Sequence, residues 1–468
     1  MSIISENFSL ESFSIPQDIT NSDSSILIPA FPLCPRKDKN DLSPDKFIGS
    51  GAFGTVWSVT DPRNSQKIAL KKLSNVFQNY ISALRTFREI KMLNTLKHEN
   101  ILSAQEFLLP SRLEYFQEIY ILMELMQTDL HKIMSSSQIL TINHIKLFLY
   151  QILRGLKYLH SVKIMHRDIK PGNLLVNSNC LLKICDFGLA RSLPDQDETS
   201  KRNLYMTTEV VTQYYRAPEL LMGATYYNWG VDIWSVGCIM AEMFTRKILF
   251  ESGSPIEQLE LITDLLGTPP PSATRYACPA ARAHILHPSS LLKLPCLDPL
   301  LSLHHTTCSD SNNSSPNAFK QIHSYSTNGC SQTFSKNHDT HCKDAKADPR
   351  RVPLTPEALH LLLRTLSFDP DHRISADRAL THGFLKEGRR RFEGLKVGGK
   401  DAMSCNKWSG YYDPGCESRL GSTQRIKAAL HAYLMDIYEW KNPPLLINQF
   451  SPLYPKFKKT ASHMSSSS

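Results

Sequence analysis

The sequence predicts an α+β chain of two lobes, a small β-rich one followed by a larger helical one. Three observations carry that expectation. Up to about residue 123 the apolar residues fall in short runs broken by glycine and turn residues, the pattern of strands. Between residues 144 and 160 they recur at 145, 148, 149, 152, 153, 156 and 159, the three-to-four spacing of an amphipathic helix. A length of 468 residues with 41% apolar and 21% charged content gives roughly three units of about 150 residues, and argues against global disorder.

Residues 1–44 are rich in Ser and Pro without a sustained period, so a flexible arm is expected there; Glu6, Glu11, Asp18 and Asp23 fall in its first 35 residues, with no Lys or Arg. Strands are expected at 47–48, 55–59, 68–71 and 119–122, with a helix over 86–96. The folded unit is expected to span 45–385, its lobes about 45–123 and 127–385. Residues 299–352 turn rich in Ser, Asn, Thr, His and Asp and read as an insertion, because a helical stripe (Leu359, Leu362, Leu363, Leu366) follows from Leu354 on. Residues 386–468 form a C-terminal extension with a helical stripe over 426–434 and a frayed end at 465–468.

The net charge of +9 is mild, and only a local excess would argue for a patch. Residues 386–400 carry six bases against two acids; the run Arg389-Arg390-Arg391 suits either a nuclear-import or acidic-partner patch or a solvated helix end. Eleven cysteines with no CxxC pair exclude a zinc ribbon and fit a reducing compartment. Cys308, Cys330 and Cys342 with nearby histidines invite a zinc site, which their irregular spacing opposes. No basic start with an apolar run and no apolar stretch of about 18 residues occurs. A soluble protein of cytoplasm and nucleus is expected, with no membrane insertion and no direct nucleic-acid binding.

The chemistry begins at Gly49-Ser50-Gly51-Ala52-Phe53-Gly54-Thr55-Val56. Glycines let backbone amides approach phosphate oxygens, though hairpins use glycine turns as well. A dinucleotide fingerprint needs a helix after the glycines, and a strand follows here, so that reading fails. Lys71 lies in an otherwise apolar strand, where a lysine is usually just a solvated face; Glu89, on the following helix, is the acid that would hold it as a grip for phosphates. His166-Arg167-Asp168-Ile169-Lys170-Pro171-Gly172-Asn173 and Asp186-Phe187-Gly188 follow, 18 residues separating the two aspartates. Phosphoryl transfer needs a carboxylate beside the attacking hydroxyl and hard oxygen ligands for Mg²⁺. Asp168 suits the first task, Asp186 with Asn173 the second, and Lys170 can neutralise charge on the migrating group.

In this order the motifs resemble the eukaryotic protein-kinase family, and with Ala217-Pro218-Glu219, Asp232 in DIWSVGC and Arg373 in FDPDHRIS the resemblance covers about residues 45 to 385. It implies the bilobal protein-kinase fold, ATP and Mg²⁺ as cofactors, Asp232 bracing the catalytic loop, and Arg373 pairing with Glu219. It also implies an adenine pocket with Ile48, Val56 and Ala69 above the base and Leu175 below. Met123 would form the back wall, with Glu124 and Met126 offering hinge backbone. All of these serve equally well as core residues without the family. Cys185 would line the pocket as an unreactive thiol.

The segment Val210-Val211-Thr212-Gln213-Tyr214-Tyr215-Arg216 looks like that of the MAP-kinase and cyclin-dependent-kinase group, which phosphorylates Ser or Thr before Pro. A pocket without an acceptor penalises every residue except proline, which has no N–H. Where MAP kinases carry Thr-x-Tyr, this chain has Thr207-Thr208-Glu209, and with FLYQILRGLKYLHS and ITDLLGTP it is most similar to the Nemo-like kinases. Thr207 is then the activating phosphosite, with Thr208 the other acceptor and an ordinary loop hydroxyl the bland alternative. Arg85, Arg88, Arg167 and Arg191 are placed to clamp its phosphate, and Glu209 supplies a fixed charge. The resemblance further implies protein substrates with Ser/Thr-Pro sites, among them DNA-binding regulators of Wnt-type signalling. It also implies an upstream kinase or self-phosphorylation, and self-association into a homodimer. The alternative from another class is a kinase-fold scaffold that transfers no phosphate.

Overall fold

The computed structural model describes residues 41–51, 54–108, 110–192, 213–224, 226–286, 348, 350–394, 417, 419–438, 445–447 and 451–459. The small lobe is built on β1 (Asp41–Gly51), β2 (Gly54–Thr60), β3 (Lys67–Leu73), β4 (Ala104–Phe107) and β5 (Ile119–Met123), with α1 (Tyr80–Thr95) between β3 and β4. Strand order is β1-β2-β3-β5-β4, antiparallel throughout. β1 opens at Asp41, inside the stretch expected to be arm. α1 starts earlier than its apolar stripe suggests because the side chain of Asn79 caps it, accepting from the Ser82 amide at 2.8 Å.

Register assigns the two faces of this sheet. Val56 lies opposite Lys71, Ala69 opposite Met123 and Lys71 opposite Ile121, so with period two these side chains share the face toward α1. Trp57, Val59, Ile68, Leu70 and Leu122 fall on the other face, where the C-terminal extension covers them. β11 (Leu446–Ile447) pairs parallel with Asp41 and Leu42 at the sheet edge. Phe457, on the helix Tyr454–Lys459, stacks edge-on against Trp57 at 5.5 Å. Lys72 is buried beneath it, 3.2 Å from Glu118 and 5.2 Å from the Phe457 ring.

The large lobe follows β6 (Thr128–Asp129) with α2 (Leu130–Ser135), α3 (Ile142–Ser161), β7 (Ile164–Met165), the hairpin β8 (Leu174–Val176) and β9 (Leu182–Ile184), β10 (Arg191–Ser192), α4 (Pro218–Leu221), α5 (Gly230–Thr245), α6 (Pro255–Leu266) and α7 (Pro279–Ile285). α5 is buried along its whole length, as its all-round apolar composition requires, and so becomes the axis of the lobe. Residues 287–347, which hold most of the expected insertion with its three cysteines, lie outside the described residues. Its last residues already belong to the lobe: the Val352 amide bonds to the Phe244 carbonyl at 3.1 Å. Arg389 and Arg391 pair with Glu393 and Glu387 one turn away on the solvent face of the helix Lys386–Gly394, whose other face buries Gly388 and Phe392 against α3. Among the described residues no helix is long and apolar enough to cross a membrane.

Since Phe457 is 1% exposed and anchors the extension to the outer sheet face, Phe457→Ala should lower the unfolding free energy by about 3–5 kcal/mol, measured by urea denaturation. A loss below about 1 kcal/mol would mean that the extension does not hold this face.

Candidate active site

β3 carries Lys71 and α1 carries Glu89, and the Nζ of the first is ion-paired to Oε1 of the second. Burial works against the charge on Lys71, but Glu89 and Asp186 together hold its ammonium above the ordinary lysine range. The ammonium is therefore fixed between the helix of the small lobe and a carboxylate of the large one.

The large lobe supplies its groups from two adjacent segments. Leu174 of β8 pairs with Ile184 of β9, and the Cys185 amide bonds to the Asn173 carbonyl at 3.0 Å, so the hairpin sets Asn173 beside the start of Asp186-Phe187-Gly188. Asp168 Oδ2 accepts from Lys170 Nζ at 2.8 Å and from Asn173 Nδ2 at 2.9 Å. Because the Asn173 amide nitrogen is spent on Asp168, its carbonyl oxygen is the atom left for a cation. Arg167 and Asp186 both take positive φ, 66° and 68°, a conformation that costs a non-glycine residue about 1–3 kcal/mol and needs outside support.

Asp232 of α5 gives that support to the catalytic loop. Fully buried, it accepts from the amides of His166 (3.0 Å) and Arg167 (2.8 Å) and from His160 Nε2 (2.9 Å). Burial opposes its charge, yet these donors hold the carboxyl below the ordinary aspartate range. His166 donates from Nε2 to the Cys185 carbonyl at 3.0 Å while its Nδ1 accepts from the Asp168 amide at 3.3 Å, tying the loop to the Asp186 segment. Arg373 spans the buried Glu219 carboxylate, 2.8 and 3.0 Å, and its Nη1 also reaches the Gly230 carbonyl at 2.8 Å.

The other expected residues lie around this centre. Ala69, Met123 and Met126 are buried, Val56 and Leu175 half-buried, and Ile48 exposed. The Glu124 side chain turns away to Lys183 at 3.3 Å, leaving its backbone for the hinge. A Cβ built at Gly49 or Gly51 meets nothing within 4 Å, whereas one at Gly54 would lie 2.0 Å from the Lys72 carbonyl. The first two glycines thus leave open space beside the loop, and the third lets β2 approach β3. Ala52 and Phe53, like Thr55 and Val56 part of the expected phosphate loop, lie outside the described residues, and so do Thr207, Thr208 and Glu209. Burial pushes the Cys185 thiol well above its ordinary range, which keeps it unreactive. A small cavity beside Asp168 is lined by Lys170, Tyr215, Arg216, Ala217 and Leu220. Tyr215 is anchored there by Glu242 at 2.7 Å, a contact with no signal in the sequence.

The donor set fits a hard divalent cation: one carboxylate, Asp186, and one amide oxygen, Asn173, with room for water and phosphate as further ligands. Among the described residues no group of three His, Cys, Asp or Glu side chains forms a cage that could hold a metal alone. The open backbone at Gly49 and Gly51 and the fixed ammonium of Lys71 are groups of the kind that bind the phosphates of a nucleotide.

Because the Asp232 carboxyl titrates below its unfolded value, its stabilisation is full above the ordinary aspartate range and is lost as pH falls through the depressed value. Asp232→Asn should therefore destabilise the fold by about 3–5 kcal/mol at neutral pH, and the difference from wild type should shrink on acidification in urea titrations. A difference that is constant with pH would contradict the charged hub.

Comparison with known proteins agrees with this geometry. Residues 42–385 match the protein kinase domain family. The chain is 47% identical over 444 residues to the serine/threonine-protein kinase NLK2 of Xenopus tropicalis, covering 93% of this chain and 86% of that one. It is 45% identical over 459 residues to the serine/threonine kinase NLK of Caenorhabditis elegans, covering 95% of this chain and 64% of that one. Mitogen-activated protein kinase 3 of Arabidopsis thaliana is 39% identical over 338 residues, 72% of this chain and 76% of its own. A fixed ammonium, a braced loop carrying Asp168 and a hairpin that sets Asn173 beside Asp186 thus occur in a chain that belongs to the protein kinase family, in its Nemo-like serine/threonine branch beside the MAP kinases.

Proposed function

We propose that this serine/threonine kinase is proline-directed, takes ATP with Mg²⁺, and is switched by phosphorylation of Thr207. The observation that carries the catalytic part is the pair of donors on one oxygen of Asp168. Lys170 and Asn173 both bond to Oδ2, so Oδ1 is left to receive the proton of a substrate hydroxyl. Lys71, held by Glu89, binds phosphate oxygens as a point charge, and Lys170 lies where charge gathers on the transferred group. Asp186 and Asn173 would hold the cation, which when bound neutralises phosphate charge. The γ-phosphoryl group passes from ATP to the hydroxyl oxygen, leaving ADP.

Proline direction rests on the 210–216 segment, whose described end, with Tyr215 and Arg216, walls the cavity beside Asp168. The switch rests on Arg85, Arg88, Arg167 and Arg191, which the resemblance assigns to a phosphate. Two features support a shared cluster: Arg88 opposes the charge of Arg167 and of Arg191, and Arg85 is buried on the same helix as Arg88. Nemo-like relatedness further suggests regulatory proteins of Wnt-type signalling as substrates, an upstream kinase or self-phosphorylation as activator, a homodimer, and residence in nucleus and cytoplasm.

Phosphate incorporation into Ser-Pro and Ser-Ala peptides tests this reading. The Ser-Pro peptide should be strongly preferred, and Asp168→Asn should lower turnover by about 10²–10⁴-fold. Incorporation that survives Asp168→Asn, or that neither peptide shows, favours the scaffold; equal use of both peptides removes the proline rule alone. Thr207→Val should lower turnover about tenfold or more, and an unchanged rate would sink the switch.

A further inference from the structure

The arginine cluster beside the catalytic loop already holds an anion, and the C-terminal extension supplies it. Glu417 accepts from Arg88 Nε on Oε1 and from Arg88 Nη2 on Oε2, each at 2.6 Å, across a sequence separation of 329 residues. The Arg88 side chain is 3% exposed, and a bidentate guanidinium–carboxylate pair out of water is the strong, orientation-specific kind. The contact belongs to a larger docking. The helix Thr423–Ile437 buries Ile426, Leu430 and Leu434, its Tyr433 hydroxyl accepts from Asn94 at 2.8 Å, and the Tyr433 ring lies 4.0 Å from Lys91. Asn94, Lys91 and Arg88 all lie on α1.

Arg88 adjoins Glu89 on that helix. Successive helical residues are rotated by about 100°, so holding Arg88 on one side sets the direction in which Glu89 points, which is toward Lys71. The Arg88–Glu417 and Lys71–Glu89 pairs occur together in the structure. The Glu417 carboxylate leaves Arg167 and Arg191 short of anionic partners among the described residues. Burial, then Arg88 and Arg167, push Arg191 down to about 9 against the opposing pull of Glu417, and the buried Arg167 Nε has no hydrogen-bond partner among the described residues. Donor capacity therefore remains for a second anion of higher charge.

The geometry points to Glu417 as a positioning residue: a carboxylate stand-in for the activation-segment phosphate that holds α1 in register with Lys71 before phosphorylation, and that the phosphate makes redundant afterwards. The assignment rests on the reading of Thr207 as the switch.

Glu417→Gln in the full chain, prepared both stripped by phosphatase and phosphorylated, tests it by initial rate on the Ser-Pro peptide. The stripped variant should lose about tenfold against stripped wild type, and the phosphorylated variant should lose little. Glu417→Asp, which keeps the charge, should restore most of the stripped rate and so separates lost charge from lost folding. Equal losses in both states would make Glu417 merely structural, and no loss in the stripped state would remove it from the site; either overturns the assignment. If wild type runs equally fast stripped and phosphorylated, the Thr207 reading fails by itself, and the stripped Glu417→Gln rate still decides the positioning role.

Discussion

The ion pair between Lys71 and Glu89 is the interaction on which the active arrangement depends. A lysine on the inner face of a sheet is expensive to keep charged, because desolvation favours its neutral form. Two carboxylates reverse that preference: Glu89 from the helix of the small lobe, and Asp186 from the large lobe. The ammonium therefore records the relative position of three elements. Displacing α1 strands a buried charge, and breaking such a pair costs about 3–5 kcal/mol, so the helix position and the charge at the cleft are one variable.

The large lobe repeats the device with different groups. Asp232 is a buried carboxylate whose partners are mostly backbone amides, and it holds Arg167 in a left-handed conformation that the residue would not choose. Glu219 and Arg373 form a second buried charged contact, which joins α4 to the segment after 366. In each case a charged side chain removed from water is satisfied by fixed donors, and the segment so fixed carries Asp168 and Lys170 or the wall of the cavity beside them. The chemistry is thus set on loops, while the rigidity comes from α5 and the sheet.

Much of this was legible in the residues. Short patterned segments gave the order of strands, and the spacing of Asp168 and Asp186 matched the loop and hairpin that bring Asn173 and Asp186 side by side. The pairing of Lys71 with Glu89 followed from chemistry alone. What stayed hidden depends on contacts between distant residues. The outer sheet face is the clearest case: Trp57, Val59, Ile68 and Leu70 are buried there and Lys72 is covered by Phe457, a residue more than 380 positions along the chain that no local pattern ties to them. Glu417 is one acid in a stretch with little pattern, and only the fold carries it to Arg88. The start of β1 at Asp41 escaped because Ser43 and Pro44 look like arm, while pairing of Asp41 with Leu446 extends the strand there.

A double-mutant cycle on Lys71 and Glu89, read as kcat/KM for the Ser-Pro peptide, measures whether the carboxylate acts through the ammonium. If the carboxylate works by holding the ammonium, Glu89→Gln should cost much of what Lys71→Met costs, and the double variant should be no worse than Lys71→Met. Fully additive losses would mean that the two side chains act independently, and the account of the site would be wrong.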